Sequence, residues 1–223
     1  EELVQKTIPS GKSNNIENKK QSFIKQLIIL IKRYVKLISN DFQQLLILFA
    51  QAPIVAVLLA MVTTDDLYKS YDDTKAILFS LGCASIWLGL LNSVQEICKE
   101  KVILQKEHMA DLKLSAYLLS KFIVQGFLAF IQSLLLVSIF QKIAGSSEYS
   151  ILINSFWDIQ IICFLSILSS ATMGLFISSF VKNANIAMTI IPLVLVPHLL
   201  FSGMLFKLEG ISDFISNFVL CRW

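Results

Sequence analysis

Five long apolar stretches constrain this chain more than any other feature. They cover residues 45–62, 76–94, 118–140, 161–181 and 186–206. Each approaches the roughly 20 residues a helix needs to cross about 30 Å of hydrocarbon. Gln51 and Pro53 interrupt the first, the second has no charge, and Lys121 lies near one end of the third. The last two contain no acidic or basic side chain apart from the ionisable His198. Barrel strands are excluded, because the runs do not alternate and are about twice too long. The expected fold is therefore an all-α membrane protein, a polytopic helical bundle with five spans. Composition agrees: 55% of residues are hydrophobic and 16% charged, where soluble domains carry about 25% charged residues. In 223 residues there is too little polar surface to coat one or two soluble domains. A net charge of +3 is too weak to indicate a nucleic-acid partner.

The flanking segments differ from the spans. Residues 1–21 are polar, with Pro9, Gly11 and no hydrophobic period, and read as a linker from something upstream. Residues 22–40 form an amphipathic pattern. Lys25, Gln26, Lys32, Arg33, Lys36, Ser39 and Asn40 fall within an arc of about 140° of a helix, and apolar residues fill much of the rest. Such a helix suits the headgroup boundary of a bilayer, where lysine stems reach outward. With the amino terminus cytoplasmic, 14 of the 19 Lys and Arg residues fall on the inner side, the orientation that basic loops favour. Five spans then leave residues 207–223 outside. That segment is too short and polar to span, and a sixth span is expected beyond it.

Catalytic chemistry has little to stand on. No nucleophile elbow, paired-histidine metal motif or phosphate-cradling glycine loop occurs. Cys83, Cys98, Cys163 and Cys221 are dispersed, and only His108 and His198 could add imidazole ligands. No catalytic or metal residue is assigned. Ser166, Ser170, Gly174 and Ser178 recur every four residues and share one helix face, a pattern that favours close helix packing over a translocation path. Gln125 and Gln132 share a face of the third span, and an amide facing lipid is costly, so they are expected to point into protein. Pro192 and Pro197 are expected to bend the fifth span beside His198.

The connection QEICKEKVILQKEHMADLKLSAYLLSK, from Gln95, is longer than two neighbouring spans require. If helical, it places Glu96, Glu100, Glu107 and Asp111 within about 60° of one another, beside a basic row of Lys99, Lys106 and Lys113. A break is expected near 102–106, where the apolar residues are not cleanly segregated. The segment projects beyond the bilayer and looks built to touch a cytoplasmic partner.

With those residues in place, the chain from Phe23 to Trp223 resembles the membrane domains of G-subfamily (White-type) ABC transporters, within the type-2 permease group. Asp41 followed by LLILFAQAPIVAVLL resembles the first span, and IWLGLLNSVQEICKEKVILQKEH the second span with its connection. SAYLLSK resembles the start of the third, and FSGMLFKLEGISDFISNF with Arg222–Trp223 the end of the fifth and an outer re-entrant segment. The resemblance implies a half-transporter whose residues 22–223 face a second copy or a homologous half across a substrate cavity. An upstream nucleotide-binding domain in the same polypeptide would hold ATP and magnesium, and this chain would bind no cofactor. Glu96, Glu100, Lys101, Lys106, Glu107 and His108, within the segment 96–113, would couple to that ATPase. Leu88, Asn92 and Thr189 would line the cavity, and Met204 and Leu205 would form an outer plug. The implied activity is ATP-driven export of a hydrophobic or amphipathic substrate from the plasma (inner) membrane's cytoplasmic side. Two other readings are a non-transporting membrane anchor and, lacking a mid-span ionisable cluster to support it, an intramembrane enzyme.

Overall fold

Two helices at the start of the described chain are separated by a single residue. Helix α1 spans Phe23–Asn40 and α2 spans Phe42–Val62, and between them the Asp41 carboxylate accepts a hydrogen bond from the Gln44 backbone N–H at 3.1 Å. This side-chain cap satisfies a donor that the first turn of α2 would otherwise leave unpaired. The computed structural model describes residues 22–63, 71–109, 112–144 and 156–202. The linker 1–21, Met204, Leu205, the segment 207–223, and the side chains of Glu107 and His108 lie outside the described residues.

The remaining helices among the described residues are α3 (Tyr71–Ser93), α4 (Glu96–Met109), α5 (Leu114–Ala144), α6 (Phe156–Phe180) and α7 (Ala184–Leu200). Helices α2, α3, α5 and α6 are long and apolar enough to cross a membrane. The fifth expected span corresponds to α7, a 17-residue apolar helix that runs through both Pro192 and Pro197. The architecture is the expected all-α polytopic bundle.

At 31 residues, α5 is about 46 Å long, longer than the hydrocarbon it crosses, and it organises the first half of the fold. Leu30, Tyr34 and Ile38, one turn apart on α1, pack along its first half against Ala116, Tyr117, Val124 and Leu128. Helix α2 continues along the second half through Ala52, Ala56 and Ala60, whose small side chains meet Ala129, Leu136, Val137 and Phe140. Small residues are what helices in lipid need to approach closely, because burial adds no hydrophobic drive there.

The second organising contact joins α3 and α6, which run parallel with a constant sequence offset. A Cβ built on Gly89 would fall on the Ser170 hydroxyl and the Ile167 carbonyl oxygen, and one built on Gly174 would fall on the Ser93 hydroxyl. A glycine on each helix thus receives a serine from the other. One turn further, Ser178 Oγ accepts hydrogen bonds from the backbone N–H groups of both Ile97 and Cys98, each at 3.0 Å. The serine–glycine face is therefore a packing face, and its last member also caps α4.

That cap explains a difference from the sequence expectation. The break in the connection falls at the turn Val94–Gln95, before α4, and α4 itself runs unbroken through 102–106. A side chain 80 residues away supplies the acceptor for the α4 start, so hydrophobic segregation within the segment could not locate it.

Candidate functional site

At the α4 end of the bundle, three helices contribute charge to one buried cluster. Lys121, from the first half of α5, is only 1% exposed. Its ammonium lies 3.2 Å from Glu96 Oε2 and 2.9 Å from Glu100 Oε1, both on α4. The Tyr34 ring of α1 lies with its centroid 3.4 Å from the same nitrogen. Tyr117 donates its hydroxyl to Glu100 Oε2 at 2.8 Å, and Arg33 of α1 approaches that oxygen at 4.0 Å. Gln44 of α2 donates to Glu96 Oε1 at 3.3 Å. The ammonium thus has two carboxylates and an aromatic face, which is what a buried cation requires. Burial pushes the Tyr34 phenol well above its ordinary range, and the Glu96 carboxylate adds to the shift, so the ring stays neutral.

From this cluster a ladder of amides continues into the membrane domain. Gln125 donates to the Tyr34 hydroxyl at 3.1 Å and to the Asn92 carbonyl at 3.3 Å. Gln51 donates to Asn92 Oδ1, and Asn92 Nδ2 to Gln132 Oε1, both at 2.6 Å. Gln132 Nε2 then reaches the Leu48 carbonyl at 2.8 Å, beside the residues where α2 packs on α5. Each amide serves as both tie and spacer. In an apolar bundle an unmade hydrogen bond is expensive, so such a ladder holds α1, α2, α3 and α5 in one register.

Two clefts open beside the cluster. One, of about 430 Å³, lies between α1 and α4 and is lined by Arg33, Tyr34, Leu37, Ile38, Glu100 and Ile103, among others. The other, of about 350 Å³, is lined by polar Gln44, Gln51, Asn92 and Gln95 and apolar Ile47, Leu48, Leu91 and Met188. Glu96 and Gln44 belong to both.

The residues singled out from sequence are distributed as follows. Glu96 and Glu100 point into the bundle and not into solvent. Lys101 is half-buried and Lys106 is exposed, as are Lys99, Val102 and Ile103. Asn92 lines the second cleft, whereas Leu88 is packed in the core with Ala52 and Ile167, and Thr189 is exposed with its hydroxyl donated to the Ile186 carbonyl. Leu88 and Asn92 lie one turn apart on α3, and Thr189 lies on α7. Gln125 and Gln132 face protein as expected. His198 is buried, with Nδ1 2.8 Å from the Val194 carbonyl oxygen. Sequence reasoning missed Lys121, Tyr34 and Gln44 as partners of the α4 acids, and Gln51 as the partner of Asn92. The one available signal was a lysine inside an otherwise apolar span, which demands a buried counter-charge.

Comparison with known proteins matches the sequence to a transport family. The family model described as ABC-2 type transporter matches residues 25–221. The chain is also 22% identical over 203 residues to the ABC transporter ATP-binding/permease protein Rv1747 of Mycobacterium tuberculosis. That alignment covers 85% of this chain and 23% of the relative, so the chain spans about a quarter of that protein's length. An all-α polytopic bundle, charged at one end and matched over most of its length, belongs to the ABC-2 type transporter (permease) family.

Proposed function

We propose that this membrane domain is the permease half of an ATP-driven exporter that moves a hydrophobic or amphipathic substrate by alternating access. A nucleotide-binding domain, upstream in the same polypeptide, would hold ATP and magnesium, and a second permease half would complete the pathway. The fusion named in the mycobacterial relative, an ATP-binding/permease protein, supports the ATPase partner. The two clefts, each part polar and part apolar, support the substrate class.

The observation that carries the reading is that α4 bears two adjoining faces, one anchored in the bundle and one exposed. On one face Glu96 and Glu100 grip Lys121, and through Tyr34 and Gln125 they connect to the amide ladder. Adjoining that face, about 90° round the helix, Lys99, Val102, Ile103 and Lys106 are exposed within about 100° of arc. An exposed apolar–basic strip on a short helix anchored in a membrane bundle suits docking of a soluble domain. Motion of such a domain would shift α4 and thereby the packing of α1 and α5. Coupling of this kind requires that the partner bind the two packings differently. The roles of Glu96, Glu100, Lys101, Lys106, Glu107 and His108 in coupling belong to this proposal.

The test uses the full-length protein with its ATPase domain in proteoliposomes. The double variant Val102→Asp with Lys106→Glu changes only the exposed strip. Substrate-stimulated ATP hydrolysis should fall to the basal rate while nucleotide binding persists. Full stimulation in that variant would remove α4 from the coupling route.

A further inference from the structure

Helix α1 carries four cationic side chains and no acidic one between Phe23 and Asn40. Arg33 turns inward to Glu100. Lys25, Lys32 and Lys36 are exposed, and helical spacing places them within about 40° of one another. With no acid at i+3 or i+4, none has an ion-pair partner on its own helix. Next to this row lie Ile24, Ile28 and Val35, also exposed and also within about 40°. The buried seam of Leu30, Tyr34 and Ile38 adjoins the apolar row, so neither row faces α5. Finally, α1 passes through one residue, Asp41, directly into the membrane-crossing α2. Its carboxyl end is therefore held at the mouth of the bilayer.

We infer that this face of α1 binds anionic phospholipid. The three ammonium groups take headgroup phosphates while Ile24, Ile28 and Val35 enter the acyl boundary beside them. The pairing of rows decides between occupants: an acidic protein surface would answer the lysines but leave three large apolar side chains in water. A lipid surface answers both. Lysine suits this use, since its apolar stem lies along the hydrocarbon edge while the ammonium reaches outward. The inference goes beyond the proposed export reaction and does not depend on it, resting on family membership and the geometry of α1 alone.

The measurement is lipid retention by the full-length protein. Delipidated protein in mild detergent is incubated with equal amounts of phosphatidylglycerol and phosphatidylcholine, and bound lipid is counted by native mass spectrometry. The wild type should retain phosphatidylglycerol selectively, and selectivity should fall as salt rises. The triple variant K25Q/K32Q/K36Q should lose about tenfold or more of that selectivity, the K25R/K32R/K36R variant should keep it, and Lys142→Gln, on α5 at the other end of the bundle, should not change it. Because the salt titration uses wild-type protein, poor folding of the glutamine variant would still leave a decisive readout. Unchanged selectivity in the folded glutamine variant, or salt-independent retention, would overturn the inference. So would equal retention of the two lipids, with the lysines instead cross-linking to a soluble domain.

Discussion

Lys121 is the residue on which most of the site converges, since removing its charge would leave Glu96 and Glu100 facing each other in the bundle. Breaking a buried pair in this way costs about 3–5 kcal/mol, largely from the uncompensated partner. Lys121→Met should therefore lower the thermal unfolding midpoint of the detergent-solubilised protein markedly. The triple variant Lys121→Met, Glu96→Gln, Glu100→Gln should recover most of the loss, because a neutral cluster of similar shape carries no such penalty. A wild-type midpoint for Lys121→Met would show that the ion pairs add no net stability. The sequence reveals that a lysine sits at the end of an apolar span and that two glutamates stand four apart on a helix. It does not reveal that they meet, because the partners lie 21 and 25 residues apart across a helix boundary.

The α3–α6 contact is set by the size of a few side chains, and its two glycines differ in a testable way. At Gly89 an added methyl meets the Ile167 carbonyl oxygen as well as the Ser170 hydroxyl, and backbone cannot rotate away. At Gly174 the clash is with the Ser93 hydroxyl, and the nearest backbone atom, the Val94 nitrogen, is 3.3 Å away. Gly89→Ala should therefore destabilise the bundle by about 1–3 kcal/mol, and Ser170→Gly should not restore it. Gly174→Ala should be milder, and Ser93→Gly should relieve it. Thermal midpoints of the four single variants and two doubles decide the matter, and equal rescue at both glycines would contradict the packing described. Half of this contact was readable in advance: the four-residue period of Ser170, Gly174 and Ser178 announced a close-packed face. Its partner was not, because Gly89 and Ser93 carry no period long enough to stand out. The Ala52–Ala56–Ala60 stripe was overlooked for a different reason, since alanine is common in any apolar helix.

For the whole molecule, the charge distribution carries a topological prediction. The amino terminus and α4 should share the cytoplasmic side, since 14 of 19 basic residues then lie inside. With the native cysteines replaced, a membrane-impermeant maleimide should label Asp73→Cys in intact cells, and should label Ser39→Cys only after permeabilisation. Both positions are exposed, so reversed labelling would invert the orientation. The membrane class, the helical fold and the position of every apolar helix follow from the sequence, because solvation of a span depends on its own composition, read residue by residue. Pairing does not follow. Lipid is as apolar as the helices it surrounds, so nothing in a span's hydrophobicity says which neighbour it meets. That selection rests on sub-ångström complementarity and on polar groups far apart in the chain: Gly89 against Ser170, Ser178 capping α4, Lys121 against the α4 glutamates. These contacts exist only once the helices have assembled.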